Sequence, residues 1–142
     1  MFAFLMSAWN AVPRLDGIRV LVVEDVPPIR EIVVRTLELC GAAVTAVHSA
    51  VEGLRLLQQH PPDAFLTSLS MPGEDGYWLI RQVRSLPPEK GRSTPAAAFT
   101  GQTTDEDRQD ALRAGFQAHV PKPVDLGRLV EVVAQLAFNK PS

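Results

Sequence analysis

Cysteine is nearly absent from this 142-residue sequence: Cys40 stands alone. That excludes an intrachain disulfide and any cysteine-cluster zinc or iron–sulfur centre, and it points to a reducing, cytoplasmic setting. An excess of one charge is also missing, with 14 Lys and Arg against 16 Asp and Glu and a net charge of −2. Without a basic footprint for a phosphate backbone, nucleic acid is not an expected partner. No apolar run reaches the roughly 20 residues that span a bilayer. The apolar opening MFAFLMSAWNAVPR carries no basic residue before Arg14, so it lacks the positive start of a signal peptide. No membrane association is expected. What is present is an ordinary globular composition, 46% hydrophobic and 21% charged. The length suits one domain, which on folding removes roughly 68% of its unfolded surface from water.

The opening segment has two readings. Phe2, Leu5, Met6, Trp9 and Val12 fall on one face of a helix, which would suit docking or dimerisation; the plainer reading of 1–16 is an extension or linker. Residues 17–138 form the expected domain and 139–142 a tail.

From Ile18 onward, short apolar runs alternate with helical patterns, and Pro or Gly punctuates most junctions. Ile18 to Val23 reads as a strand covered on both faces. Pro27 and Pro28 open a helix whose inward stripe is Ile29, Ile32, Val33, Thr36, Leu37 and Cys40, stopped by Gly41. The same grammar predicts strands at 43–47, 63–68, 96–99 and 117–120. Helices are predicted at 49–59, 76–86, 104–114 and from Asp125 onward. Ser49 with Glu52 has the spacing of a capping box, and Thr104 with Asp107 that of a helix start. Five strands alternating with five helices imply an α/β fold, a three-layer doubly wound parallel sheet, because right-handed crossovers bury both faces. Binding chemistry then gathers beyond the carboxyl ends of the strands.

Those positions carry Glu24 and Asp25, Ser68, Thr100 and Lys122. Adjacent carboxylates are hard oxygen ligands suited to Mg²⁺ when waters and a phosphate complete its octahedron. Lys122 could hold a phosphoryl oxygen as a point charge, and the Thr100 hydroxyl could donate to another. Taken singly, the acid pair reads as helix-start compensation and the Lys or Thr as a solvated strand end. Their joint placement points to one chemistry.

With these motifs the chain resembles the receiver domain of two-component response regulators, over roughly residues 17 to 138. Val22-Val23-Glu24-Asp25 is similar to the family's acidic strand end. Ser70 to Gly76 is similar to the loop after its phosphorylation site, Phe99-Thr100-Gly101 to its switch hydroxyl, and Lys122-Pro123 to its lysine-proline turn. MPGEDGY and Gly115 to His119 are closest to receivers attached to hybrid histidine kinases. The resemblance implies a flavodoxin-like five-stranded sheet of order 2-1-3-4-5, a Lys122–Pro123 bond that is often cis, and a histidine kinase or other signalling protein as partner.

In that family the third strand ends in the aspartate that takes phosphate from a histidine kinase, and here the position holds Ser68. A one-residue slip would turn every side chain over, and Asp63 opens the strand near the opposite edge of the sheet. An aspartate is already anionic, whereas a serine hydroxyl needs a base, and His48, His60 and His119 are not placed to serve one. Family autophosphorylation is therefore expected to be absent, with no cofactor required and at most weak Mg²⁺ binding at Glu24 and Asp25, where the pocket charge is −1 rather than −2.

The expected function is that of a phosphoacceptor-less receiver acting as an interaction module in a two-component or phosphorelay system. One alternative is a conventional Mg²⁺-dependent receiver whose aspartate was replaced by engineering. A weaker one is an anion or small-ligand sensor using the vacated pocket. The working surface, or a homodimer contact, would be the fourth helix, fifth strand and fifth helix, with Asp105, Glu106, Arg108, Arg113, His119, Arg128 and Glu131 as exposed candidates. The opening apolar segment is the other dimer candidate.

Overall fold

A computed structural model describes residues 12–101, 104–123 and 125–139. The elements run β1 (Arg19–Val23), α1 (Pro27–Leu39), β2 (Ala43–Val47), α2 (Ala50–Gln59), β3 (Ala64–Ser68) and α3 (Gly76–Arg84). A 3-10 turn (Pro88–Lys90), β4 (Ala96–Thr100), α4 (Asp105–Ala114), β5 (Ala118–Pro121) and α5 (Leu126–Phe138) follow. All pairings are parallel, and the sheet order is β2-β1-β3-β4-β5, as the resemblance implied. Residues 1–11 of the apolar segment proposed for docking, and 140–142 of the tail, lie outside the described residues.

Alternation along β1 builds the two faces of the core. Val20 and Val22 join Val33 and Leu37 of α1 and Leu129 and Val133 of α5 on one side. Leu21 and Val23 join Leu57 of α2, Leu79 and Ile80 of α3 and Ala111 of α4 on the other. Each fully buried Leu or Val contributes about 1.5–3 kcal/mol by leaving water. Leu15 is fully buried on the α1 and α5 side and donates its N–H to the Cys40 carbonyl at 2.7 Å, so core packing begins before residue 17.

Several local expectations shift. Ile32 is 44% exposed rather than inward, because α1 rests on the sheet through Val33, Thr36 and Leu37, one position further round. Ser49 accepts from the Glu52 N–H, but the Glu52 carboxylate turns to Arg55 instead of closing a capping box. Thr104 and Asp107 do form the full reciprocal box. α3 ends at Arg84, two residues early, and β5 includes Pro121; both boundaries move where a side-chain cap or an edge position overrides periodicity.

Candidate functional site

Four strands deliver the site at their carboxyl ends. Glu24 follows β1 and is 1% exposed; Ser68 closes β3 and Thr100 closes β4, both buried. Lys122 follows β5, its N–H donating to the Thr100 carbonyl at 2.8 Å, and its bond to Pro123 is cis. Asp25, next after Glu24, is half-buried at the mouth.

Lys122 organises the site. Its ammonium donates to Glu24 Oε1 at 2.9 Å and to Ser68 Oγ at 3.0 Å, and it stands 4.8 Å from the centre of the Phe99 ring. The other Glu24 oxygen, Oε2, accepts the Asp25 N–H at 3.1 Å. Both oxygens of the buried carboxylate are therefore engaged. A charge removed from water this completely needs such compensation, since an unpaired one costs several kcal/mol.

Sequence reasoning found Glu24, Asp25, Ser68, Thr100 and Lys122, and the structure gathers them at one edge of the sheet. It missed the groups that fix them. Arg30, on the first turn of α1, donates to the Glu24 carbonyl at 2.8 Å. The Thr67 hydroxyl donates to the Ser68 carbonyl at 3.0 Å. Gly76 lies so close to that carbonyl that an added Cβ would sit 2.3 Å from it. A glycine opening a helix was the available signal, and it read only as a helix start.

Asp63 lies at the other edge of the sheet, where its carboxylate accepts the Arg19 N–H at 2.8 Å. The three histidines are dispersed. His48 follows β2, on the far side of β1 from β3; His60 follows α2; half-buried His119 lies within β5. Ser68 thus meets the Lys122 ammonium, which is bonded to the Glu24 carboxylate as well. The void of about 10 Å³ that borders Glu24 and Ser68 is lined mostly by core side chains, Val22, Val33, Leu66 and Leu129 among them, and lies behind the site in the core shared with α1 and α5.

A second feature lies between α4, β5 and α5. Arg108, Leu112, His119 and Arg128, with Gln117, Ala118 and Gln135, line a groove of about 340 Å³. Three of the surface candidates are thereby brought together. Asp105 and Glu106 stay exposed on the first turn of α4, Arg113 pairs with Asp110 at 3.0 Å, and Glu131 faces Arg128 at 3.7 Å. No helix among the described residues is long and apolar enough to cross a membrane.

A family model described as response regulator receiver domain matches residues 20–134. An uncharacterized 14.6 kDa protein in the sodA1 3' region of Leptolyngbya boryana is 44% identical over 121 residues, covering 84% of this chain and 91% of the relative. The sensor protein TorS of Escherichia coli K12 is 34% identical over 134 residues, covering 92% of this chain. The chain spans only 14% of the length of TorS. Among solved structures, the receiver domain of sensor histidine kinase PA1611 from Pseudomonas aeruginosa PAO1 is similar, with a TM-score of 0.78 and 29% identity. That match covers 86% of this chain and 98% of the other, which holds a magnesium ion in its active site cleft.

The donor set here does not suit such an ion. Each Glu24 oxygen already accepts a hydrogen bond, one of them from an ammonium, Ser68 is neutral, Asp25 is a single carboxylate, and Lys122 already supplies positive charge at the centre. Among the described residues, no cluster of three His, Cys, Asp or Glu side chains is arranged to hold a metal.

Proposed function

This chain belongs to the response regulator receiver family, and on that footing we propose that it serves two-component signalling as a receiver whose acceptor position is the alcohol Ser68. Receiver domains are signalling modules that work by contact with histidine kinases and other signalling proteins, and this one keeps the housing of the site without its phosphoryl chemistry. The observation that carries the reading is the Ser68 hydroxyl, 3.0 Å from the Lys122 ammonium at the end of β3. An alcohol there needs a base to attack phosphohistidine, and the side chains around it are a cation and an engaged carboxylate. Glu24, Asp25, Thr100 and Lys122 then serve architecture rather than turnover, and no cofactor is required.

The partner surface in this reading is the α4, β5 and α5 side, where Arg108, His119 and Arg128 share a groove. A cytoplasmic location agrees with the buried free thiol of Cys40.

The test is incubation with a small phosphodonor and Mg²⁺, followed by intact-mass measurement of the chain and of Ser68→Asp. No phosphoryl adduct on the unaltered chain is expected, and an adduct on it would overturn the proposal. Uptake by Ser68→Asp would show the rest of the machinery intact, as the engineered-substitution alternative requires; uptake by neither would favour long-standing degeneracy.

A further inference from the structure

We propose that Lys122 is the resident counter-ion of this site and that the strand ends hold their arrangement without any divalent cation. The inference deepens the reading above and rests on it in taking Ser68 to stand where an acid would be.

Two observations converge. First, each oxygen of the buried Glu24 carboxylate already accepts a hydrogen bond, Oε1 from the Lys122 ammonium and Oε2 from the Asp25 N–H. A cation seeking it must displace an ammonium already 2.9 Å away, and it would approach against that ammonium's charge. Second, Ser68 is neutral, so Glu24 and Lys122 balance one for one and no second buried carboxylate calls for a dication. Lys122 satisfies both groups at once, at 2.9 and 3.0 Å. Mg²⁺, moreover, dehydrates reluctantly and keeps several waters in its octahedron, so it gains little at a carboxylate whose charge is already balanced. What remains for a metal is the single carboxylate of Asp25, which competes poorly with water. The ion pair also ties the ends of β1, β3 and β5 together. The surface beside β5 is then fixed when the chain folds and does not change with cation supply.

Mn²⁺-enhanced water-proton relaxation reports binding directly, and thermal denaturation in EDTA or in MgCl₂ at matched ionic strength reports its effect on the fold. The whole chain is expected to show no saturable Mn²⁺ binding and the same melting temperature in both buffers. Ser68→Asp, which restores an unbalanced carboxylate, is expected to melt lower in EDTA, to recover in MgCl₂ and to bind Mn²⁺ at least about tenfold more tightly. Lys122→Met is expected to melt lower and to acquire Mn²⁺ binding, because it frees Glu24 Oε1. Saturable Mn²⁺ binding by the unaltered chain, or a melting temperature that rises with MgCl₂ as steeply as that of Ser68→Asp, would overturn the proposal. Should Lys122→Met fail to fold, the relaxation measurement on the other two proteins still decides. Mn²⁺ binding without phosphoryl uptake would sink this inference alone, whereas uptake by the unaltered chain would sink the functional reading.

Discussion

Arg84, the last residue of α3, grips the carbonyl of Gly115 with two donors, Nε at 3.1 Å and Nη2 at 2.8 Å, across 31 residues of chain. The same guanidinium donates to the carbonyls of Arg92 and Thr94, both at 2.7 Å, and to Gln117 Oε1 at 3.1 Å. Every one of these acceptors is neutral, so burial alone lowers its pKa from the usual arginine value. Gln117 Oε1 in turn accepts the Ala96 N–H at 2.8 Å. One side chain thus joins α3, the approach to β4 and the approach to β5, on the side of the sheet that carries the α4 groove.

Arg84→Met keeps the apolar stem and strands these carbonyls. The expected loss is about 2–3 kcal/mol in urea denaturation. Arg84→Lys should recover less than half of it, because an ammonium lacks the planar fork that reaches both Gly115 and Thr94. Full recovery with Lys would show that charge, and not geometry, holds the joint.

Lys122→Met leaves the Glu24 carboxylate buried without its cation, and Glu24→Gln leaves the ammonium without its anion. Each is expected to cost about 3 kcal/mol, Glu24→Gln somewhat less because the side chain whose charge it strands is 23% exposed. The double variant should cost clearly less than the sum of the two, a coupling that a double-mutant cycle by chemical denaturation measures.

Gly76→Ala forces a methyl to within 2.3 Å of the Ser68 carbonyl, a backbone atom that cannot swing away. A loss of about 3 kcal/mol or more is expected, with displaced amide signals around Ser68. Gly127→Ala is the matched control. Its Cβ would meet nothing closer than 3.5 Å, and the change should stabilise α5 by about 0.5 kcal/mol. The two melting temperatures should therefore move in opposite directions.

Tyr77 is the sole tyrosine, so its ionisation can be followed by ultraviolet absorbance without overlap from another. Burial raises its pKa above 10.0, and the nearby Asp110, Asp107 and Asp75 carboxylates raise it further. The folded value exceeds the unfolded one, so this contribution to stability is complete below about pH 10 and is lost as pH climbs through the folded value. The native titration midpoint should lie above that of the chain in denaturant, and coincident midpoints would refute the placement.

Much of the architecture was legible in the sequence, because near neighbours encode it. The β-branched run before Glu24, the paired prolines opening α1, and the caps at Thr104 and Asp125 each act within a few residues. The site residues could be named from the same grammar, since parallel strands carry their chemistry at one end. Ile32 and the Glu52 carboxylate went astray where two local options were nearly equal and a packing angle or a closer cation chose between them.

The sequence by itself determined which side chains stand at the strand ends, that the third strand ends in an alcohol, and that the sheet is parallel and covered on both faces. Only the tertiary structure decided that Lys122 reaches Glu24 across 98 residues, that both oxygens of that carboxylate are taken, and that Gly76 and Arg84 brace distant backbone. The physical reason is range: turn chemistry and hydrophobic periodicity act over one or two helical turns. Which charge meets which is set by strand order and register, which exist only once the sheet has closed.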